Sequence, residues 1–86
     1  IYDSRGAYEA ALEWYEKSVK IKEEIGDRAG LATTLHNLGY VALAQGRLNE
    51  ALSFFTRSRD IYAEIGLEKN VAEEEEMIAK VGMMMQ

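Results

Sequence analysis

Few residues in this chain could carry chemistry. There is one histidine and no cysteine, and the histidine sits beside an asparagine, His36-Asn37, within the stretch TLHNLGYVALAQG. A hydroxyl nucleophile needs a base within reach, yet nothing in the spacing of the serines and aspartates brings one to His36. Neither a phosphate-cradling glycine loop nor a nucleophile elbow occurs. A single imidazole without thiolates lacks the donor set of a transition-metal site, so His36 reads as an exposed polar residue and no metal or cofactor is expected. The carboxylates, EEEE at 73–76 included, lie along helical segments instead of converging as a general acid and base must. Four glutamates near a helix N-terminus read as a solvated face favoured by the helix dipole. The chain is therefore not expected to be an enzyme. Asn37 is different, because its amide both donates and accepts and can pair with the backbone of an extended peptide whatever that peptide's sequence.

The elements that must position these residues follow from composition and repetition. The chain has 86 residues, no proline and a net charge of −5. Absence of proline with abundant Ala, Leu, Glu and Lys favours long helices. The acidic balance excludes an unaided nucleic-acid binder, whose affinity begins with phosphate neutralisation, and suits neutral or basic partners. No apolar run approaches the ~20 residues needed to span a bilayer, and no leader is apparent. With no cysteine, this points to the reducing cytoplasm. A start at Ile1-Tyr2 suggests a fragment of a longer array.

GAYEAALEWYEKSVKIKEEIG, from Gly6, aligns without a gap on GRLNEALSFFTRSRDIYAEIG, from Gly46. Eight pairs separated by 40 are identical: Gly6/Gly46, Ala11/Ala51, Leu12/Leu52, Ser18/Ser58, Ile21/Ile61, Glu24/Glu64, Ile25/Ile65 and Gly26/Gly66. Trp14/Phe54 and Tyr15/Phe55 keep aromatic character. The matches fall at helical i, i+3, i+4 spacing while intervening polar residues have drifted, which marks a buried and a solvated face. A weaker echo pairs Leu31-Ala32 with Val71-Ala72 and Leu38 with Ile78. The spacing predicts helices from about Tyr8 to Ile25, from Arg28 to Gln45 behind an Asp27 N-cap, from Asn49 to Ile65, and from Glu68 to Val81. Gly26, Gly46 and Gly66 punctuate them. Connections this short force successive helices to fold back antiparallel, and MMMQ at the end reads as a frayed tail. The fold class is all-α.

The residues carrying the pattern are Leu35, Leu38, Gly39, Ala42, Gly46, Ala51 and Phe55, with Gly6, Tyr8, Ala11 and Tyr15 as the second half of a preceding copy. Their spacing resembles the tetratricopeptide repeat. The period of 40, against the usual length of about 34, and the EIGDRAGLA junction are similar to the long repeats of kinesin light chains and Leu-Gly-Asn-repeat scaffolds. The closing proline of that pattern is absent, and Ala42 stands where a tyrosine is common. The resemblance implies antiparallel hairpins stacked as a right-handed α-solenoid. Residues 1–27 would be half a repeat, 28–67 a complete one, and 68–86 a capping helix and tail. Gly39 and Ala51 are small where two helix backbones approach closely.

The resemblance also assigns faces. First helices of the hairpins line a concave groove, with Thr33, His36, Asn37, Tyr40, Leu43 and Ala44 on one, and Glu73, Glu76, Met77, Lys80, Met83 and Met84 on the next. Asp3 and Ser4 would belong to a preceding one. An asparagine before Leu-Gly often contacts ligand backbone in long-repeat scaffolds, and that role carries to Asn37. Tyr40 and Leu43 would add apolar contact, while Glu73 and Glu76 favour a basic ligand. No cluster of lysines and arginines suited to a carboxylate lies on this face. Glu75 takes the place of Leu35, as in a terminal cap. Tyr8, Leu12, Tyr15 and Val19 are left partly uncovered, which predicts self-association of the isolated segment. The expected function is a protein-interaction scaffold binding an extended peptide or helix. The alternatives are a structural spacer and a peptide-sensing segment of a larger regulator.

Overall fold

Three glycines in left-handed backbone divide the chain: Gly26 at φ 74°, Gly46 at φ 73° and Gly66 at φ 76°. An L side chain is strained in this region, so glycine is the residue that lets a helix end and reverse there. The computed structural model describes residues 4–86, apart from the side chains of Ser4, Arg5, Ala7, Tyr8 and Ile25. It contains four helices, α1 (Ser4–Ile25), α2 (Arg28–Ala44), α3 (Leu48–Glu64) and α4 (Glu68–Met84). Each connection is the same hydrogen-bonded cap. The Asp27 N–H donates to the Lys22 carbonyl at 2.9 Å, Arg47 to Ala42 at 2.9 Å and Leu67 to Tyr62 at 3.0 Å. The glycine N–H groups bond one residue further along, to Glu23, Leu43 and Ala63, which completes a Schellman motif at each turn. Asp27 also caps α2, its Oδ1 accepting from the Gly30 N–H at 2.8 Å. Arg47 and Leu67, at the same place before α3 and α4, make no such bond.

Successive helices pack antiparallel, α1 on α2, α2 on α3 and α3 on α4. One core joins Val19 of α1, Leu31, Ala32, Leu35 and Leu38 of α2, and Ile61 and Tyr62 of α3, with Leu12, Tyr15, Phe54 and Val71 against it. A second joins Ala42, Ala51, Phe55 and Val81. The residues read as packing positions in the complete repeat are there: Leu35, Leu38, Gly39, Ala42, Ala51 and Phe55 are all buried. At Gly39 the helices come so close that a Cβ would lie 2.7 Å from the Phe55 ring. Ser58 crosses the same hairpin, its Oγ donating to the Ala32 carbonyl at 2.8 Å.

Several sequence expectations are corrected. Helix α1 begins at Ser4 and not near Tyr8, so Gly6 lies inside a helix although its counterpart Gly46 makes a turn. The tail is ordered further than expected, because α4 continues through Met83 and Met84. Of the α1 residues expected to be partly uncovered, Leu12 and Tyr15 are half-buried, while Val19 is buried, since it packs in the core with α2 and α3. Tyr8, as a side chain, and Asp3 and the Ser4 side chain as groove candidates lie outside the described residues. Among the described residues, the large apolar side chains of α1 that stand bare are Trp14, 70% exposed, and Ile21, 58% exposed.

Candidate functional site

Helices α2 and α4 lie side by side, joined by contacts across their facing edges. On α2 the residues Thr33, Asn37, Tyr40 and Ala44 form one exposed stripe, as spacing of four, three and four along a helix requires. The equivalent stripe on α4 holds Glu73, Met77, Lys80 and Met84, with Met77 half-buried and the others exposed. The two stripes meet where the Tyr40 hydroxyl donates to Met77 Sδ at 3.5 Å.

Each candidate residue has a definite setting. Asn37 is exposed and its amide has no hydrogen-bond partner among the described residues. Tyr40 is 46% exposed and holds its ring edge-on to His36 and to Phe55, with centroids 4.8 and 5.4 Å away. Such a ring is both anchored and open on one face, the condition in which an aromatic adds contact area at low entropic cost. Thr33 is exposed but anchored at its edge, its hydroxyl donating to the Ala29 carbonyl at 3.1 Å and lying 2.9 Å from the Tyr62 hydroxyl. Leu43 departs from its expected place in the groove. It is half-buried against the second core, which draws on α2, α3 and α4. Glu73 is exposed. Glu76 is exposed as well and forms an i,i+4 ion pair with Lys80 at 3.8 Å.

His36 is the main correction. Instead of a solvated neighbour of Asn37 it is half-buried, with Nδ1 2.6 Å from Oε2 of Glu74. The two atoms are in close contact without the alignment of a hydrogen bond, and Glu74 Oε1 has no hydrogen-bond partner among the described residues. Its ring also meets Phe55, centroids 5.7 Å apart. Glu74 is 2% exposed, which revises the reading of EEEE as a solvated face: Glu73, Glu75 and Glu76 are in solvent and the fourth is inside. Burial pushes the Glu74 carboxyl above its ordinary range, His36 opposes that shift, and Glu73 adds to it. The sequence contained a signal for this. Glu74 lies 40 residues after Thr34, itself buried at 6% exposure, so the repeat register alone places Glu74 against the preceding hairpin.

Among the described residues no group of three or more His, Asp or Glu could hold a metal ion, and no helix is long and apolar enough to cross a membrane. The surface carries side by side an unpartnered amide, a steadied phenol ring, a thioether and an acidic edge.

A family model described as tetratricopeptide repeat matches residues 1–64, which takes in α1 to α3. Among solved structures, the solution structure of a designed protein, DA05, superposes with a TM-score of 0.81, at 18% identity, covering 88% of this chain and 76% of that one. At that identity the likeness concerns the fold. Comparison with curated protein sequences returned no match. Repeats of this kind are in general modules of protein–protein interaction. From the match over three of its four helices and from the Leu35, Leu38, Gly39, Ala42 and Phe55 packing, the chain belongs to the tetratricopeptide repeat family.

Proposed function

We propose that the strip formed by α2 and α4 binds an extended, neutral or basic peptide of a protein partner. The observation that carries this is the exposed, unpartnered amide of Asn37 beside the anchored ring of Tyr40. A backbone-reading amide next to an aromatic contact is the minimum that sequence-tolerant peptide binding needs. Glu73, at the edge of the strip and exposed, biases the ligand toward Lys or Arg. Thr33, Met77 and Glu76 complete the contact surface, while His36 and Leu43 act from behind it, bracing Tyr40 and the α2–α4 seam.

The test is an array of extended peptides of graded charge, probed with the chain and with Asn37→Ala. Since Asn37 is exposed, the variant should melt as the parent does and lose about 1 kcal/mol or more of peptide affinity, a fivefold effect or greater. Basic peptides should bind more tightly than acidic ones, with Glu73→Lys reversing that order. Equal binding by the parent and Asn37→Ala would show that the strip does not read peptide backbone.

A further inference from the structure

One face of α1 and one face of α4 stand open at opposite ends of the stack. In the complete hairpin, α2 covers α3: Ile61 is 8% exposed in a core shared with α1 and α2, and Ser58 reaches the Ala32 carbonyl. Forty residues earlier, Ile21 is 58% exposed and Trp14, the counterpart of the half-buried Phe54, is 70% exposed. They border a shallow depression of about 270 Å³ with Lys17, Ser18 and Lys22. At Ser18/Ser58 and Ile21/Ile61 this face of α1 keeps the residues that α3 buries in the complete hairpin. Meanwhile α4 repeats α2 with a shift of 40, and its counterparts of Ala32, Leu35 and Gly39, namely Ala72, Glu75 and Ala79, are exposed.

We propose that copies of this chain join head to tail, α4 of one copy seating on α1 of the next in the register that α2 holds on α3. Moving the known hairpin contacts by the repeat gives the new pairs. Ala32–Ser58 becomes Ala72–Ser18, and Thr33–Tyr62 becomes Glu73–Lys22, an opposite-charge pair. Glu75, which replaces Leu35, falls level with Lys17 and Ser18. An acid at that point would be out of place against an apolar helix and is matched by this one. The transfer is not perfect: Arg28–Glu64, 2.6 Å apart, becomes Glu68–Glu24, a like-charged pair at the exposed rim, and Gly39–Phe55 becomes Ala79–Tyr15, which needs slightly wider spacing. Two matched charges and the burial of Trp14 and Ile21 outweigh one screened rim repulsion. The contact is heterologous, so it propagates instead of closing into a twofold dimer.

The experiment uses two half-blocked variants, Trp14→Lys on α1 and Ala79→Arg on α4, both at exposed positions, with helicity checked by circular dichroism. Sedimentation of the parent chain should show mass rising with concentration beyond a dimer, and emission of its only tryptophan should shift to the blue. Each variant alone should be monomeric, its self-association weakened roughly thirtyfold or more, and the two mixed should form a one-to-one dimer with the blue shift coming from Trp14 of Ala79→Arg. Lys22→Glu should weaken association of the otherwise unaltered chain about two- to fivefold, and Glu73→Lys added to it should restore the loss. Self-association of Ala79→Arg alone would mean that α1 faces pair with each other and would overturn the proposal. A monomeric parent, or no dimer in the mixture, would overturn it too, leaving α4 as a terminal cap and the α1 face to a helix from elsewhere.

Discussion

His36 of α2 and Glu74 of α4 meet with Nδ1 and Oε2 2.6 Å apart, the glutamate 2% exposed and the histidine half-buried. This contact bridges α2 and α4 beside the one between Tyr40 and Met77, while both helices pack mainly on α3. Its energetics are less simple than its geometry, because a charge drawn out of water is often a net cost even when paired.

For Glu74 the sign can be worked out. Burial raises its folded-state pKa above the ordinary 4.5, so the folded chain holds this proton more tightly than the unfolded chain does. The associated stability is full below pH 4.5 and is lost as pH rises through the folded value. Glu74→Gln keeps the volume and removes the buried charge. At neutral pH it should melt higher than the parent, and the gap should narrow in acid below the ordinary value. A variant that melts lower at neutral pH would show that the pair with His36 more than offsets the burial of both groups.

Gly39→Leu tests the closest approach in the fold. With a Cβ already 2.7 Å from a Phe55 ring that is itself fully buried, neither partner can move aside. The expected loss is about 1–3 kcal/mol from overpacking, read as a lower midpoint in urea. An unchanged midpoint would contradict the packing of α2 on α3.

Ser58 and Ser18 occupy the same repeat position in different surroundings. Ser58→Ala removes the buried hydrogen bond to the Ala32 carbonyl and should cost about 0.5–1.5 kcal/mol. Ser18→Ala, at a half-buried site bordering the bare face of α1, should leave the melting of the dilute chain unchanged. Comparable losses in both variants would mean that α1 is already covered.

Asp27 caps α2 through the Gly30 N–H and is exposed, so Asp27→Ala removes the cap without disturbing the core. Loss of about 0.5–2 kcal/mol is expected by thermal melting. Arg47→Ala and Leu67→Ala, at N-caps that make no side-chain bond to the helix end, cannot lose stability by that route.

Local information was enough for the helices, their turns and their order. Gly26, Gly46 and Gly66 end helices because backbone geometry at a reversal is decided within a few residues. The apolar spacing of Leu35, Leu38, Gly39 and Ala42 marks a buried face because a helix repeats every turn. The exposure of Asn37 and Tyr40 followed from the same arithmetic. Errors arose where a side chain's surroundings depend on a helix distant in sequence. His36 looked solvated because much of its cover comes from other helices, from Phe55 of α3 and from the buried glutamate of α4, which sits 38 residues on. Leu43 looked like a groove residue for the same reason.

On α1, the sequence pointed to Tyr8, Leu12, Tyr15 and Val19 as the partly uncovered face and did not single out Trp14 and Ile21. Leu12, Tyr15 and Val19 lie against the core while Trp14 and Ile21 lie open, and that choice was made only by the side on which α2 and α3 pack. Burial is a property of the assembled surface, not of the residue. The repeat could therefore be read from the chain, whereas the partner of His36 and the bare face of α1 had to wait for the helices to be stacked.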